Sequence, residues 1–371
     1  MSIVIERYDP GFVPAIDAFN RRLDAGAIPA GFRFPATYSC GEAAHAAGGS
    51  WEEGFVATEA GTVRGCFFLR HQDFIVRGVA RRIAQYRLPI SEGIINRRYV
   101  GLGARLISHA VLVQPLLFAL GMGGLDNPLP RLLRALGWRL REVPFFFRAC
   151  HSSAVAKTLF AKRAAAQPLL GIPGADLLGG LALRTLQARP RRSRLPPGIT
   201  AKIVSAFDED ASDLWDRCAQ PENYSLIGVR RRAELEVMYP PDDLRFIRLG
   251  VYTSGEMLGW AVLLDTAMTD HLHFGDLRVG TIVDGLALPE HAAVVAAAAA
   301  RHLEDRGVDL IVSNQAHAAW RQAMRVTGLL PGPSNYILAC SPALARLLEP
   351  TGDTETLVHM TRGDGDGPIH L

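Results

Sequence analysis

The sequence predicts a mixed α/β fold, an α+β mixed sheet with helices, built twice in tandem. Three observations carry this: a loop with paired glycines between a strand-like and a helix-like run, the order of elements around it, and a second set of those elements about 190 residues later. The first set opens with strands over residues 63–70 (VRGCFFLR) and 82–88, both apolar and flanked by arginine. The loop Arg98-Tyr99-Val100-Gly101-Leu102-Gly103-Ala104 leads into a helix over 104–113 and a strand over 116–120. Asn127-Pro128-Leu129-Pro130 then starts a helix over 131–136, because proline is at home in a first turn, and Gly137-Trp138 ends it. A last strand covers 143–148 (VPFFFR).

The second set repeats these pieces. Leu258-Gly259-Trp260 echoes Arg64-Gly65-Cys66, residues 310–314 echo the strand near Ala119, and residues 319–329 echo the helix that ends at Gly137. The final strands match as well, Phe146 through Ala149-Cys150 against Tyr336 through Ala339-Cys340. A constant offset across this many elements is the mark of a duplicated domain. The expected organisation is an N-terminal domain over 1–150, a helical or linker segment over 151–198, and a degenerate C-terminal copy over 199–371.

The loop is read as a cradle for an anion. Gly101 and Gly103 carry no Cβ to block a close approach, and the following helix aims free N–H groups and its positive dipole end at the same point. A Walker A loop is excluded, since Ala104 and Arg105 stand where Lys and Ser/Thr are needed. A dinucleotide fingerprint lacks its third glycine, at Leu106, and its acidic residue. The remaining pattern, Arg/Gln-x-x-Gly-x-Gly/Ala, stays open on the loop alone to a plain glycine-rich turn. With its surroundings it resembles the GNAT superfamily of acyl-CoA-dependent N-acyltransferases over about residues 50–150, and the repeat makes this a tandem GNAT-like arrangement.

The resemblance implies a reaction and a set of residues. Arg98, Tyr99, Val100, Gly101, Leu102, Gly103 and Ala104 would hold the CoA pyrophosphate, Leu88, Pro89 and Ile90 the pantetheine arm, and Asn127 the distal edge. The co-substrate is acetyl-CoA or another acyl-CoA, and the acceptor a small-molecule amine or a peptide that attacks the thioester directly in the opening between splayed strands. Proximity then supplies much of the rate. The tyrosine that the family often places before the helix-ending glycine is replaced by Leu133 in the first copy and Met324 in the second. An amine is mostly protonated at neutral pH, so a base is needed. Glu92 is the first candidate, against a plain solvated loop carboxylate, and Tyr99 the second, against a packing aromatic. The second copy has Gly285-Leu-Ala-Leu-Pro289-Glu290 in place of the cradle, and Glu290 already occupies the dipole end. One CoA site per chain is therefore expected, with the second copy shaping the acceptor groove or holding the first. Asn314 and His317 at a strand end are the expected substrate contacts.

Composition agrees with two ordinary cores: 371 residues, 49% of them hydrophobic. The net charge of +3 gives no nucleic-acid footprint, and the arginine-rich run from Arg189 to Arg194 reads as a solvated linker. No membrane span is expected, since the most apolar stretch, 168–186, is broken by Gly171, Pro173, Asp176 and Arg184. The start of the chain has no signal-peptide pattern, and five cysteines without CxxC spacing suit a reduced, cytoplasmic protein. No metal is expected: His271 and His273 share a strand face but lack a third ligand, and the closing Arg362-Gly-Asp364 run lacks the rest of a calcium loop. The competing functions are a Fem-type transferase using aminoacyl-tRNA, disfavoured by the near-neutral charge, an acyl-CoA sensor without turnover, and a purely structural pair.

Overall fold

The computed structural model describes residues 2–26, 33–35, 49–155, 158, 195–271, 273–349 and 357–365. Cys40, the apolar stretch 168–186, the arginine-rich run, Leu272 and residues 366–368 lie outside the described residues. The chain forms two compact units, one of Met1–Glu142 with Ile337–Glu349 and one of Val143–Tyr336 with Pro350–Leu371.

In the first unit β1 (Val4–Arg7), α1 (Val13–Asp24), β2 (Trp51–Glu59), β3 (Thr62–Val76) and β4 (Val79–Ser91) precede α2 (Leu102–Val113), β5 (Leu117–Met122), α3 (Pro128–Ala135) and β6 (Arg139–Glu142). The hairpins β2–β3 and β3–β4 turn at Ala60-Gly61 and Arg77-Gly78, with positive φ at all four residues, which matches the twist of the strands they join. The two faces of the sheet follow from alternation. Phe67 and Leu69 of β3 with Ala84 and Tyr86 of β4 bury against Leu102, Leu106 and Ala110 of α2. Cys66 and Phe68 point the other way and bury against Ile16, Phe19 and Leu23 of α1. Both strands before the loop run further than the apolar pattern indicated, because β3 and β4 extend together as a long hairpin past His71 and Ala84.

The sheet order in this unit is β1-β2-β3-β4-β5, then the strand Tyr336–Cys340, then β6. β4 and β5 are parallel and pair at only two positions, Ala84 with Leu117 and Gln85 with Phe118. Beyond these the two strands part. The β3–β4 register slips between Cys66, which faces Ile90, and Phe68, which faces Arg87, so Leu88 and Pro89 form a bulge. Leu88 has φ +43°, a conformation that costs a side-chain-bearing residue of order 1–3 kcal/mol. Pro89 withholds a ladder donor at the same place. The splay of β4 from β5 is thus written into the backbone at Leu88-Pro89.

The second unit holds β7 (Phe145–Ala149), β8 (Ile199–Val204), α4 (Glu209–Cys218), β9 (Leu226–Gly228), α5 (Arg232–Met238), β10 (Ile247–Thr253), β11 (Glu256–Ala267) and β12 (Arg278–Ala287). They are followed by α6 (Ala292–Asp305), β13 (Leu310–Asn314), α7 (Ala318–Val326) and β14 (Leu330–Gly332), and the strand Tyr336–Cys340 is β15. The sheet order is β14-β7-β13-β12-β11-β10-β8. β12 and β13 run parallel from Val279/Leu310 to Ile282/Ser313 and then part, with a register slip against β11 between Val262 and Leu263. The alanine run of α6 is buried from Ala296 to Ala300.

The duplication is therefore real in three dimensions, with one exchange. β7 lies between β13 and β14 in the second sheet, and β15 lies between β5 and β6 in the first. Each copy's last strand completes the other copy's sheet. Phe145–Ala149 and Tyr336–Cys340 are matched in sequence, so nothing in their residues tells which sheet each will enter.

Candidate functional site

The loop after β4 is shorter and tighter than a flexible connection. Single 3-10 turns cover Glu92–Ile94 and Arg97–Tyr99, each capped by a side chain, Ser91 Oγ accepting from Gly93 N at 3.1 Å and Asn96 Oδ1 from Arg98 N at 3.1 Å. The helix begins earlier than the sequence pattern indicated: α2 starts at Leu102 with Gly101 as its N-cap, which places Gly103 in the first turn. Among the described residues, the amides of Gly101, Leu102, Gly103 and Ala104 have no partner in the protein. Four free N–H groups and a helix dipole converge there, an arrangement that favours a phosphate. Gly101 has an ordinary φ of −79°, and a Cβ there would meet no atom within 4 Å. The packing of the fold does not require this glycine. Val100 beside it is 77% exposed.

Beneath the loop lies a chain of charges. Tyr99 Oη donates to Glu59 Oε2 at 2.6 Å, and Arg98 Nη2 donates to Glu59 Oε1 at 2.8 Å. Arg64 donates to Glu92 at 2.9 Å and approaches Glu59 at 3.7 Å, and Arg22 of α1 reaches the same Glu92 at 3.2 Å. The guanidinium groups of Arg64 and Arg98 stand 4.9 and 5.5 Å from the centroid of the Tyr99 ring. The hydrogen bond from Tyr99, with the nearby Arg98 and Arg64 charges, holds the Glu59 carboxyl below its usual range, and the same bond raises the Tyr99 hydroxyl. The whole assembly fastens the loop to the end of β2 and to α1.

The two catalytic candidates both have protein partners in this network. Glu92 is not a solvated carboxylate, being buried with both oxygens taken by Arg22 and Arg64, so it is poorly placed to accept a proton from an acceptor amine. Tyr99 is buried and spends its hydroxyl on Glu59. Both side chains are tied into the network beneath the loop. Leu88, Pro89 and Ile90 lie on the parted stretch of β4, Leu88 and Ile90 packing toward α1. Asn127 is the N-cap residue of α3, and its Nδ2 donates to Met122 O at the end of β5, at 3.1 Å. Leu133 and Met324 are both fully buried apolar residues.

The two expected substrate contacts in the second unit also have protein partners. Asn314 is buried and donates to Val143 O at 3.2 Å. His317 caps α7 by accepting from Ala319 N at 3.2 Å, and its other ring nitrogen meets Asn223 O at 2.9 Å; burial pushes its pKa down to about 4. His271 accepts from the amides of His273 and Phe274, which is turn chemistry. Among the described residues no cluster fits a metal ion.

No family model matches this sequence, and neither does any curated protein. Solved structures do match. A protein of Enterococcus faecalis named a probable N-acyltransferase superposes with a TM-score of 0.52 at 11% identity, over 94% of this chain and 74% of that one. A GCN5-related N-acetyltransferase from Anabaena variabilis gives a TM-score of 0.52 at 10% identity, over 91% and 72%. The N-myristoyltransferase of Saccharomyces cerevisiae with bound myristoyl-CoA gives 0.50 at 12%, over 92% and 78%. This chain carries the GNAT fold twice.

β4 and β5 pair only at Ala84 with Leu117 and at Gln85 with Phe118, and the unpaired amides of Gly101–Ala104 follow the end of β4. Residues that sequence reasoning missed are Glu59, Arg64 and Arg22, and in the second unit Arg230 and Thr361, which bond to Asp284. The available signal was a charge inside an apolar strand: Glu59 closes the run FVATE and Asp284 the run TIVD. Among the described residues no helix is long and apolar enough to cross a membrane.

Proposed function

We propose that this protein transfers an acyl group, acetyl in the first instance, from a CoA thioester to the amine of a small molecule or peptide, using one acyl-CoA site in its first unit. The observation that carries this reading is the set of four unpaired amides at Gly101, Leu102, Gly103 and Ala104 beside the parted ends of β4 and β5. These amides, with Arg98 and the exposed edge at Val100, would hold the pyrophosphate. The backbone at Leu88, Pro89 and Ile90 would hold the pantetheine arm, and Asn127 would border its far end. The acceptor amine gives up its extra proton to water and enters neutral; its nitrogen attacks the thioester carbonyl, the new C–N bond forms, the C–S bond breaks, and sulfur leaves as thiolate, which takes up the second proton lost by nitrogen. With Leu133 in place of an acid, orientation in the opening and a tolerable thiolate leaving group carry the rate. The four described cysteines are free thiols, which supports a cytoplasmic setting.

A second reading rests on Leu133 and on the engagement of Glu92: the first unit senses acyl-CoA without turning it over. Thermal melting with acetyl-CoA and longer acyl-CoAs, on the natural chain and on Gly101→Asp, tests the site. A ligand bound to the folded state raises the midpoint by mass action. The expected result is a rise that disappears in the variant, and no rise with any thioester overturns both readings. A CoA-release assay over a panel of amines separates them, since binding without release across the panel leaves the sensor.

A further inference from the structure

We infer that the cleft of the second unit is itself a binding site, and that its occupant is the chain's own segment 357–365, seated there as a built-in ligand. The argument starts where β12 and β13 part, after Ile282 and Ser313. Past that point β12 continues to Ala287, and the segment runs between its end and the residues following β13. Ala316 N donates to Met360 O at 3.1 Å, Thr361 bridges Gln315 in antiparallel fashion, and His359 Nε2 lies 3.0 Å from Gly285 O on β12. On the other side, His359 N donates to Leu226 O at 2.8 Å and Ser225 N to Leu357 O at 3.0 Å. The segment is thus hydrogen-bonded from both flanks as an added strand would be.

Its side chains meet a matching receptor. Asp284 Oδ2 accepts from Arg230 Nε at 2.9 Å and from Tyr239 Oη at 2.8 Å, and its Oδ1 accepts from Thr361 Oγ1 at 3.0 Å. Arg230 also donates to Asp364, which in turn accepts from Thr361 N at 2.8 Å. Arg230, Asp284, His359, Thr361 and Asp364 are all completely buried. Two carboxylates and one guanidinium without solvent are tolerable only while every partner is present, so the seat is either complete or lost. Gly363 makes the fit specific: a Cβ there would come within 2.1 Å of Tyr239 Oη and 2.9 Å of Asp284 Oδ2. The counterpart stretch of the first unit, after Gln85 and Phe118, carries no such inserted segment among the described residues. Occupancy of the second cleft, added to the missing glycine pair, limits the chain to one acyl-CoA. That last step rests on the proposed function, whereas the seat itself does not.

Hydrogen exchange on the full chain, read by mass spectrometry, tests this in the natural protein and in Gly363→Leu, with and without CoA. The amides of His359 and Thr361 should exchange as slowly as those of β12, and Gly363→Leu should speed exchange over 357–361 and 315–316 at least tenfold. CoA should slow the loop at 101–104 in both proteins and leave 357–365 unchanged. Rapid exchange of the segment in the natural protein, or no effect of Gly363→Leu, overturns the seat. Calorimetric titration of two CoA per natural chain overturns the exclusion. Absence of any CoA effect with a protected segment sinks the proposed function and leaves the seat standing. If Gly363→Leu does not fold, Asp364→Asn keeps the shape, removes one charge, and should raise exchange over the same residues severalfold; unchanged exchange there counts against the seat.

Discussion

In the first unit β4 leaves β5 after two paired positions, and the nearest turn presents four unpaired amides; in the second β12 leaves β13 after four, and a stretch of the same chain fills in behind. Charges are also deployed differently. The first unit keeps Glu59, Glu92, Arg22, Arg64 and Arg98 under the loop, partly wet, where they fix its shape. The second drives Arg230 and its two aspartates into the cleft itself and seals them. Duplication thus leaves two copies of one frame, and the difference lies in whether polar groups frame the opening or consume it.

If that contrast holds, second-unit changes should cost stability and spare CoA affinity, and first-unit changes the reverse. The largest effect is expected for Arg230→Met, which strands two buried carboxylates and should cost about 3–5 kcal/mol of stability by denaturant unfolding. CoA affinity of the surviving folded protein should stay within twofold. Next comes pH. His317 is held neutral, with a folded pKa of about 4 against about 6.5 unfolded, so the unfolded chain binds the extra proton as pH falls from 6.5 to 4. Stability should drop by roughly 3 kcal/mol across that window and no further below it. His317→Asn, which keeps a capping oxygen, should flatten the slope.

Glu92→Gln separates anchor from base. As an anchor it should cost about 2 kcal/mol of stability with the pH profile of kcat unchanged. A hundredfold fall in kcat with an altered profile would instead restore its catalytic role. Gly101→Asp places a carboxylate in an open position, so the melting point should hold while CoA affinity falls at least tenfold. The smallest effect is expected from Glu59→Gln, a severalfold rise in KM for acyl-CoA at constant kcat, because the loop loses its latch and keeps its amides.

Much of this frame was legible in the residues. Strand runs such as 63–70 and 310–314, and the helix expected from Ala104, announce themselves by periodicity. Burial of single charges was not. Glu92 sits between Ser91 and Gly93, a context that reads as a wet loop, and its partners come from Arg64 and Arg22, far back along the chain. Asn314 and His317 stand at a strand end that the repeat assigns to the acceptor side of the groove; Val143 and Asn223 supply them with backbone oxygens that no local pattern reveals. The parting of β4 depends on a positive φ at Leu88, which leucine does not advertise.

The crossing of β7 and β15 bears on how the chain is made. A ribosome releases β1 to β6 first, yet the sheet they belong to has β15 between β5 and β6, and β15 emerges only some 190 residues later. Until then the nascent first half carries two exposed strand edges, and loop-closure entropy weighs against the late insertion. The first sheet is therefore completed only after most of the second unit has been made, and neither half made separately holds all the strands of its own barrier against aggregation.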